Sequence, residues 1–153
     1  MAGSIETEGR VGELVRKLRA SGQRLTPQRL AVLRALVESE AHPSAEHIYR
    51  EVLPLYPMMS LATVYKTIDV LKDMGEILEL EFRDGANRYD ANIPEPHPHV
   101  VCTACGSIQD LDVGDVGALT AQAGALSGYS SIRTRLDFYG LCPSCNSTAA
   151  PGN

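Results

Sequence analysis

Along the first half of the chain, apolar positions recur at the three- and four-residue spacing of amphipathic helices, and the residues bounding each run are helix caps. Val11, Leu14, Val15 and Leu18 form one stripe, which Gly22 ends. Thr26 ahead of Pro27 puts a capping hydroxyl and a helix-starting proline before Leu30, Leu33, Ala35, Leu36 and Val37. Ser44 opens a third helix carrying Ala45, Ile48, Tyr49 and Val52, and Pro54 and Pro57 stop it. Ser60 opens a fourth, closed by Gly75, in which Leu61, Val64, Ile68 and Leu71 line one side. Its other side presents Ala62, Thr63 and Lys66, with Tyr65 at the flank.

After Gly75 the period changes to two: Leu78, Leu80 and Phe82 alternate with Glu79, Glu81 and Arg83, and Asp84-Gly85 supplies a hairpin turn into NRYDA. Helices followed by a hairpin predict a winged helix. NIPEPHP (92–98) is too rich in proline for helix or central strand and reads as a hinge. Beyond it the pattern predicts short strands around Val100 and over 108–113. A helix with Val116, Leu119, Ala123 and Leu126 on one face follows, then a strand over 130–141. The fold class expected is α+β, with a winged-helix domain over 10–91, a hinge over 92–98 and a smaller α/β domain over 99–146. Residues 1–9 and 147–153 read as frayed tails, and no internal repeat is evident.

Composition narrows the picture. A chain of 153 residues with 44% hydrophobic content can bury a core. No apolar run approaches the ~20 residues of a membrane span, and the start lacks the layout of a secretory signal, so no membrane association and a cytoplasmic location are expected. The net charge of -5 is not that of a typical nucleic-acid binder, but residues 10–34 hold seven Lys/Arg and one acid, Glu13.

In a reducing compartment, closely paired cysteines are more often metal ligands than disulfides. Cys102-Thr-Ala-Cys105 and Cys142-Pro-Ser-Cys145 use every cysteine in the chain. Two intervening residues let a tight knuckle aim both sulfurs one way, and two such pairs complete the tetrahedron of a structural zinc site. Two redox centres or buried thiols are the alternative. His97 and His99 have no place on a zinc saturated by sulfur; at i, i+2 on an extended segment they make a usable chelate for a second metal, or else are two surface histidines. His42, Asp90 and Asp110 are individually unremarkable, and His47 reads as a solvated helix residue.

RLTPQR (24–29), HPSAEHIY (42–49), SLATVYKTIDVL (60–71), NRYD (87–90), HPHVVCTACG (97–106) and CPSC (142–145) together resemble the ferric uptake regulator family of metal-dependent repressors, over about residues 10–146. The resemblance implies a winged-helix DNA-binding domain hinged to an α/β dimerisation domain, with structural zinc on Cys102, Cys105, Cys142 and Cys145. It also implies a regulatory metal site on His42, Asp90, His97, His99 and Asp110. Aspartate at both 90 and 110 is similar to the peroxide-sensing branch, whereas iron-uptake regulators usually carry glutamate in place of Asp110. Such an N/O set suits ferrous iron or manganese.

The function this implies is a homodimeric repressor, not an enzyme. With its metal bound it would grip palindromic double-stranded DNA through the Ser60 helix, Thr63, Tyr65 and Lys66 being the contacts, while the basic block holds backbone phosphates. Peroxide would release it through iron-catalysed oxidation of a histidine ligand. A regulator of iron, manganese or zinc uptake without peroxide sensing, a non-haem metalloenzyme, and a zinc-stabilised interaction module without a DNA role remain the alternatives.

Overall fold

The first apolar stripe winds into α1 (Ala2–Ala20), burying Val11, Leu14 and Leu18. This helix covers most of the segment expected to be a tail. No apolar stripe marks residues 2–9, but the helix runs through them and Glu8 pairs there with Arg34 of the next helix. In the computed structural model, residues 2–82 and 85–148 are described, and the chain forms two compact units, Met1–Glu95 and Pro96–Asn153.

The rest of the first unit follows its capping signals. Thr26 Oγ1 accepts the Arg29 N–H at 3.1 Å and Pro27 takes the first position of α2 (Pro27–Glu38). Ser44 Oγ accepts the His47 N–H at 3.2 Å at the start of α3 (Ala45–Val52). Ser60 precedes α4 (Leu61–Asp73) but does not cap it with its side chain; its hydroxyl meets that of Thr63 at 3.2 Å instead. Gly75 adopts a left-handed φ of 70°, the conformation that ends a helix without a Cβ clash. Strands β1 (Leu78–Leu80) and β2 (Arg88–Asp90) then pair antiparallel, Leu78 opposite Asp90. Strand β1 stops short of the alternating run that predicted it, and the turn expected at Asp84-Gly85 lies partly outside the described residues. Leu33, Leu36, Ile48, Ile68 and Leu71 are buried in one core under the helices and the hairpin, each contributing roughly 1.5–3 kcal/mol of apolar transfer. This is a winged helix.

The second unit is a three-stranded sheet in the order β4-β3-β5. Its central strand β3 (His99–Cys102) runs antiparallel to β4 (Ile108–Asp110) and parallel to β5 (Asp137–Gly140). Both outer strands are shorter than the sequence pattern suggested, because β3 offers only four residues to pair with and Ser131 turns to a positive φ of 56°. Between them lies α5 (Val116–Ser127), capped by Asp115 and ended by Gly128, with no residue buried within the chain. A short helix α6 (Pro143–Thr148) occupies part of the region read as a C-terminal tail; six residues are too few for periodicity to reveal. No helix among the described residues is long and apolar enough to cross a membrane.

Candidate metal centres and DNA-facing surface

The four cysteines converge. Cys102 ends β3, and the chain folds back at once: the Gly106 N–H donates to the Cys102 carbonyl at 2.9 Å, with Gly106 at a φ of 73° that favours glycine. Cys142 and Cys145 flank the start of α6, and the Thr103 N–H binds the Gly140 carbonyl at 2.8 Å, drawing the two knuckles together. The Cys105 and Cys142 sulfurs lie 3.9 Å apart, and all four sulfurs lie within 4.8 Å of one another. A tetrahedron with Zn–S bonds of about 2.3 Å has edges of roughly 3.8 Å, so the donor set fits a tetrathiolate zinc. Backbone N–H groups of Cys105, Cys142 and Ala104 aimed at the Cys102 sulfur lower its pKa to about 6. Cys145, pressed against the Cys142 and Cys105 sulfurs, is pushed up to about 12. Repulsion between crowded thiolates is what a divalent cation relieves.

A second donor set lies on the other half of the same sheet. His97 Nε2 is 3.0 Å from Asp110 Oδ1, His99 Nε2 is 3.4 Å from the same oxygen, and the two imidazole centroids are 4.4 Å apart. Register explains the meeting: His99 stands directly opposite Asp110 across β3 and β4, and the Leu111 N–H, bonded to the Pro98 carbonyl at 2.8 Å, continues the ladder toward His97. His99 is buried.

His42 and Asp90 meet within the first unit, His42 Nε2 lying 3.2 Å from Asp90 Oδ2 with both side chains buried. The N–H groups of Asn92 and Ile93 hold the other oxygen of Asp90 at 2.8 and 3.0 Å. Burial raises the Asp90 carboxyl, but His42 and those two backbone donors outweigh it and leave it below its ordinary value. His42 has a φ of 51°, uncommon for a residue with a side chain and of order 1–3 kcal/mol in strain. The Arg88 guanidinium, missed by sequence reasoning, offsets this by donating to the carbonyls of both Ala41 and His42. Its one sequence signal was its place beside Asp90 in NRYD. His47, by contrast, is exposed, and its ring pairs with Glu51, one turn on.

On α4, Tyr65 and Lys66 are exposed and Thr63 is half-buried. The Tyr65 hydroxyl donates to Glu46 Oε1 at 2.7 Å, lowering the Glu46 carboxyl and raising the phenol. Within the basic block, Arg10 and Lys17 are committed to Glu13 and Glu76, and Arg34 to Glu8. Arg16, Arg19 and Arg24 are exposed cations of that block.

A winged helix followed by a small sheet carrying a four-cysteine cluster and a histidine–carboxylate set defines a class of metal-responsive transcriptional regulators. The sequence pattern of the ferric uptake regulator family matches residues 20–139, and the chain belongs to that family, whose members regulate transcription and are not enzymes. It is 37% identical to the peroxide-responsive repressor PerR of Staphylococcus aureus over 142 residues, 93% of this chain and 94% of that protein. The crystal structure of the Campylobacter jejuni peroxide stress regulator is similar at 33% identity and a TM-score of 0.65, covering 87% of this chain and 97% of that one. The ferric uptake regulator of Helicobacter pylori, at 24% identity, shares the fold with a TM-score of 0.71 over 92% of this chain and 93% of its own.

Proposed function

We propose that this protein is a peroxide-responsive repressor that binds palindromic operator DNA as a homodimer in the cytoplasm. The observation that supports the reading is that potential metal donors meet in each unit, His42 with Asp90 in one and His97 and His99 with Asp110 in the other. Three imidazoles and two carboxylates together would suit ferrous iron or manganese. Cys102, Cys105, Cys142 and Cys145 hold structural zinc.

Ligands drawn from both units mean that binding one ion ties the units together, with residues 92–98 as the hinge. In a dimer, that sets the spacing of the two α4 helices for successive major-groove faces. Thr63, Tyr65 and Lys66 contact DNA, while Arg16, Arg19 and Arg24 contact phosphates. Without metal, part of the DNA-binding energy goes into ordering the units and affinity falls. Dimerisation is supported by the apolar surface of the second unit, where Leu119 and Leu126 of α5 and Phe138 and Tyr139 of β5 are exposed.

Ferrous iron held by these residues would supply redox chemistry toward peroxide that manganese does not readily supply. The net change is transfer of one oxygen atom from peroxide to a histidine ring, with water as the other product. An oxidised imidazole no longer holds the metal, and repression ends. The regulator of metal uptake alone is the competing reading. Retardation of an A/T-rich palindrome by the manganese form, but not by a His42→Ala variant, supports the regulatory site; retardation that ignores metal contradicts it.

A further inference from the structure

His99 is flanked by two carboxylates, one on each neighbouring strand. In β4, Asp110 faces Nε2 at 3.4 Å; in β5, Asp137 stands beside His99 in parallel register, its Oδ1 3.6 Å from Nδ1. Asp137 belongs to none of the ligand sets described above. It is nonetheless well enclosed, its side chain 10% exposed, and its second oxygen accepts the Arg135 Nε–H at 2.6 Å. An aspartate in a short strand, fixed at one oxygen by an arginine and aimed with the other at a buried imidazole, is built to orient that ring.

We propose that Asp137 is the positioning residue of the regulatory metal site. It holds the proton of the neutral His99 ring on Nδ1 and thereby keeps the Nε2 lone pair free for the metal beside Asp110 and His97. Ligating histidines generally need such an acceptor behind them, because a neutral imidazole has one proton and must keep it off the ligating nitrogen. At 3.6 Å the pair stands just beyond hydrogen-bond length, with Asp137 the carboxylate nearest Nδ1 in register. Arg135 sharpens the device. Since it donates to one oxygen, an asparagine at 137 would give that oxygen to Arg135 and turn its amide NH2 toward Nδ1. That arrangement demands a lone pair on Nδ1 and puts the proton on Nε2, where it blocks the metal.

The inference rests on His99 being a ligand, so the test separates the two ideas. The full-length, zinc-loaded protein is titrated with Mn2+, free metal being read by electron paramagnetic resonance, as wild type, Asp137→Asn, Asp137→Ala and His99→Ala. Nitrogen-15 spectra of the imidazoles without regulatory metal report which ring nitrogen of His99 carries the proton. Expected are Nδ1–H in the wild type, a shift toward Nε2–H in Asp137→Asn, and Mn2+ binding weakened roughly 10- to 100-fold with zinc retained. Asp137→Asn preserves shape and decides the matter if the alanine variant loses its zinc. Unchanged affinity and an unchanged tautomer in Asp137→Asn, with binding abolished in His99→Ala, would overturn the role of Asp137 and leave the metal site standing. Unchanged affinity in His99→Ala would overturn both.

Discussion

Replacing Cys102 by serine should unfold the second unit and leave the first intact. Among the described residues, the second unit buries the apolar side chains of Val101, Cys102 and Ile108, and with them Pro98. Burying Val101 and Ile108 contributes roughly 3–6 kcal/mol together at 1.5–3 kcal/mol each. A structural zinc contributes on the order of 10–16 kcal/mol of binding free energy that is also folding free energy. The metal term is therefore the larger, and the exposed face of α5 adds nothing within one chain. Serine in place of Cys102 removes the thiolate that receives the Cys142 N–H at 3.3 Å and leaves three sulfurs for the metal. The first unit keeps its own core of Leu14, Leu33, Leu36, Ile48 and Ile68. Zinc analysis and hydrogen exchange read by mass spectrometry measure both effects. Protection should vanish over β3, β4 and β5 and persist over α2 and α4. A Cys102→Ser protein that keeps one zinc per chain and full protection in β3 would refute the reasoning.

Lys66→Ala should weaken operator binding, and if Lys66 meets only a phosphate the logarithmic salt slope should fall by about one unit, with Mn2+ affinity unchanged; an identical isotherm would move the contact elsewhere. Leu36→Ala, at a fully buried position of α2, should destabilise the winged helix by about 2–5 kcal/mol in chemical denaturation, and a loss well below this range would mean the core can collapse around the cavity. Burial raises the Glu79 carboxyl, but hydrogen bonds from Lys72, Asn87 and Tyr89 outweigh it and hold its pKa below 4.5. The folded state therefore binds that proton less tightly than the unfolded one. Its stabilisation is complete above pH 4.5 and lost as pH falls through the lowered value, so Glu79→Gln should flatten the acid limb of the stability curve there and leave its shape at neutral pH unaltered.

What could be read from the sequence was what depends on neighbours along the chain. Thr26 and Ser44 cap their helices by hydrogen bonds to residues three positions on, and the stripe from Leu61 to Leu71 follows from helical period alone. The two CxxC pairs were visible because knuckle geometry is local. The start of α1 was not, since no apolar stripe marks it and its Glu8–Arg34 pair spans two helices. The length of β5 was hidden because its limit is set by the four residues of β3, far away in sequence. The same distance concealed Asp137, which no motif marks and which reaches His99 only through the register of a parallel ladder. Tyr65 was legible as a flank residue of α4, but its bond to Glu46 required the packing of α3 against α4.

Peroxide sensing is decided by where peroxide acts. All four cysteines fit a closed zinc site, which offers peroxide no open coordination position although its sulfurs remain oxidisable more slowly. Peptide mass spectrometry after a brief, low dose of peroxide, on the ferrous and the manganese forms in parallel, measures this directly. In the ferrous form one oxygen atom should appear first on His42, His97 or His99, together with loss of operator binding, while the manganese form stays unmodified and bound. Oxygen found first on Cys102 or Cys142, or equal sensitivity of the two forms, would contradict peroxide sensing and leave a regulator that answers to metal alone.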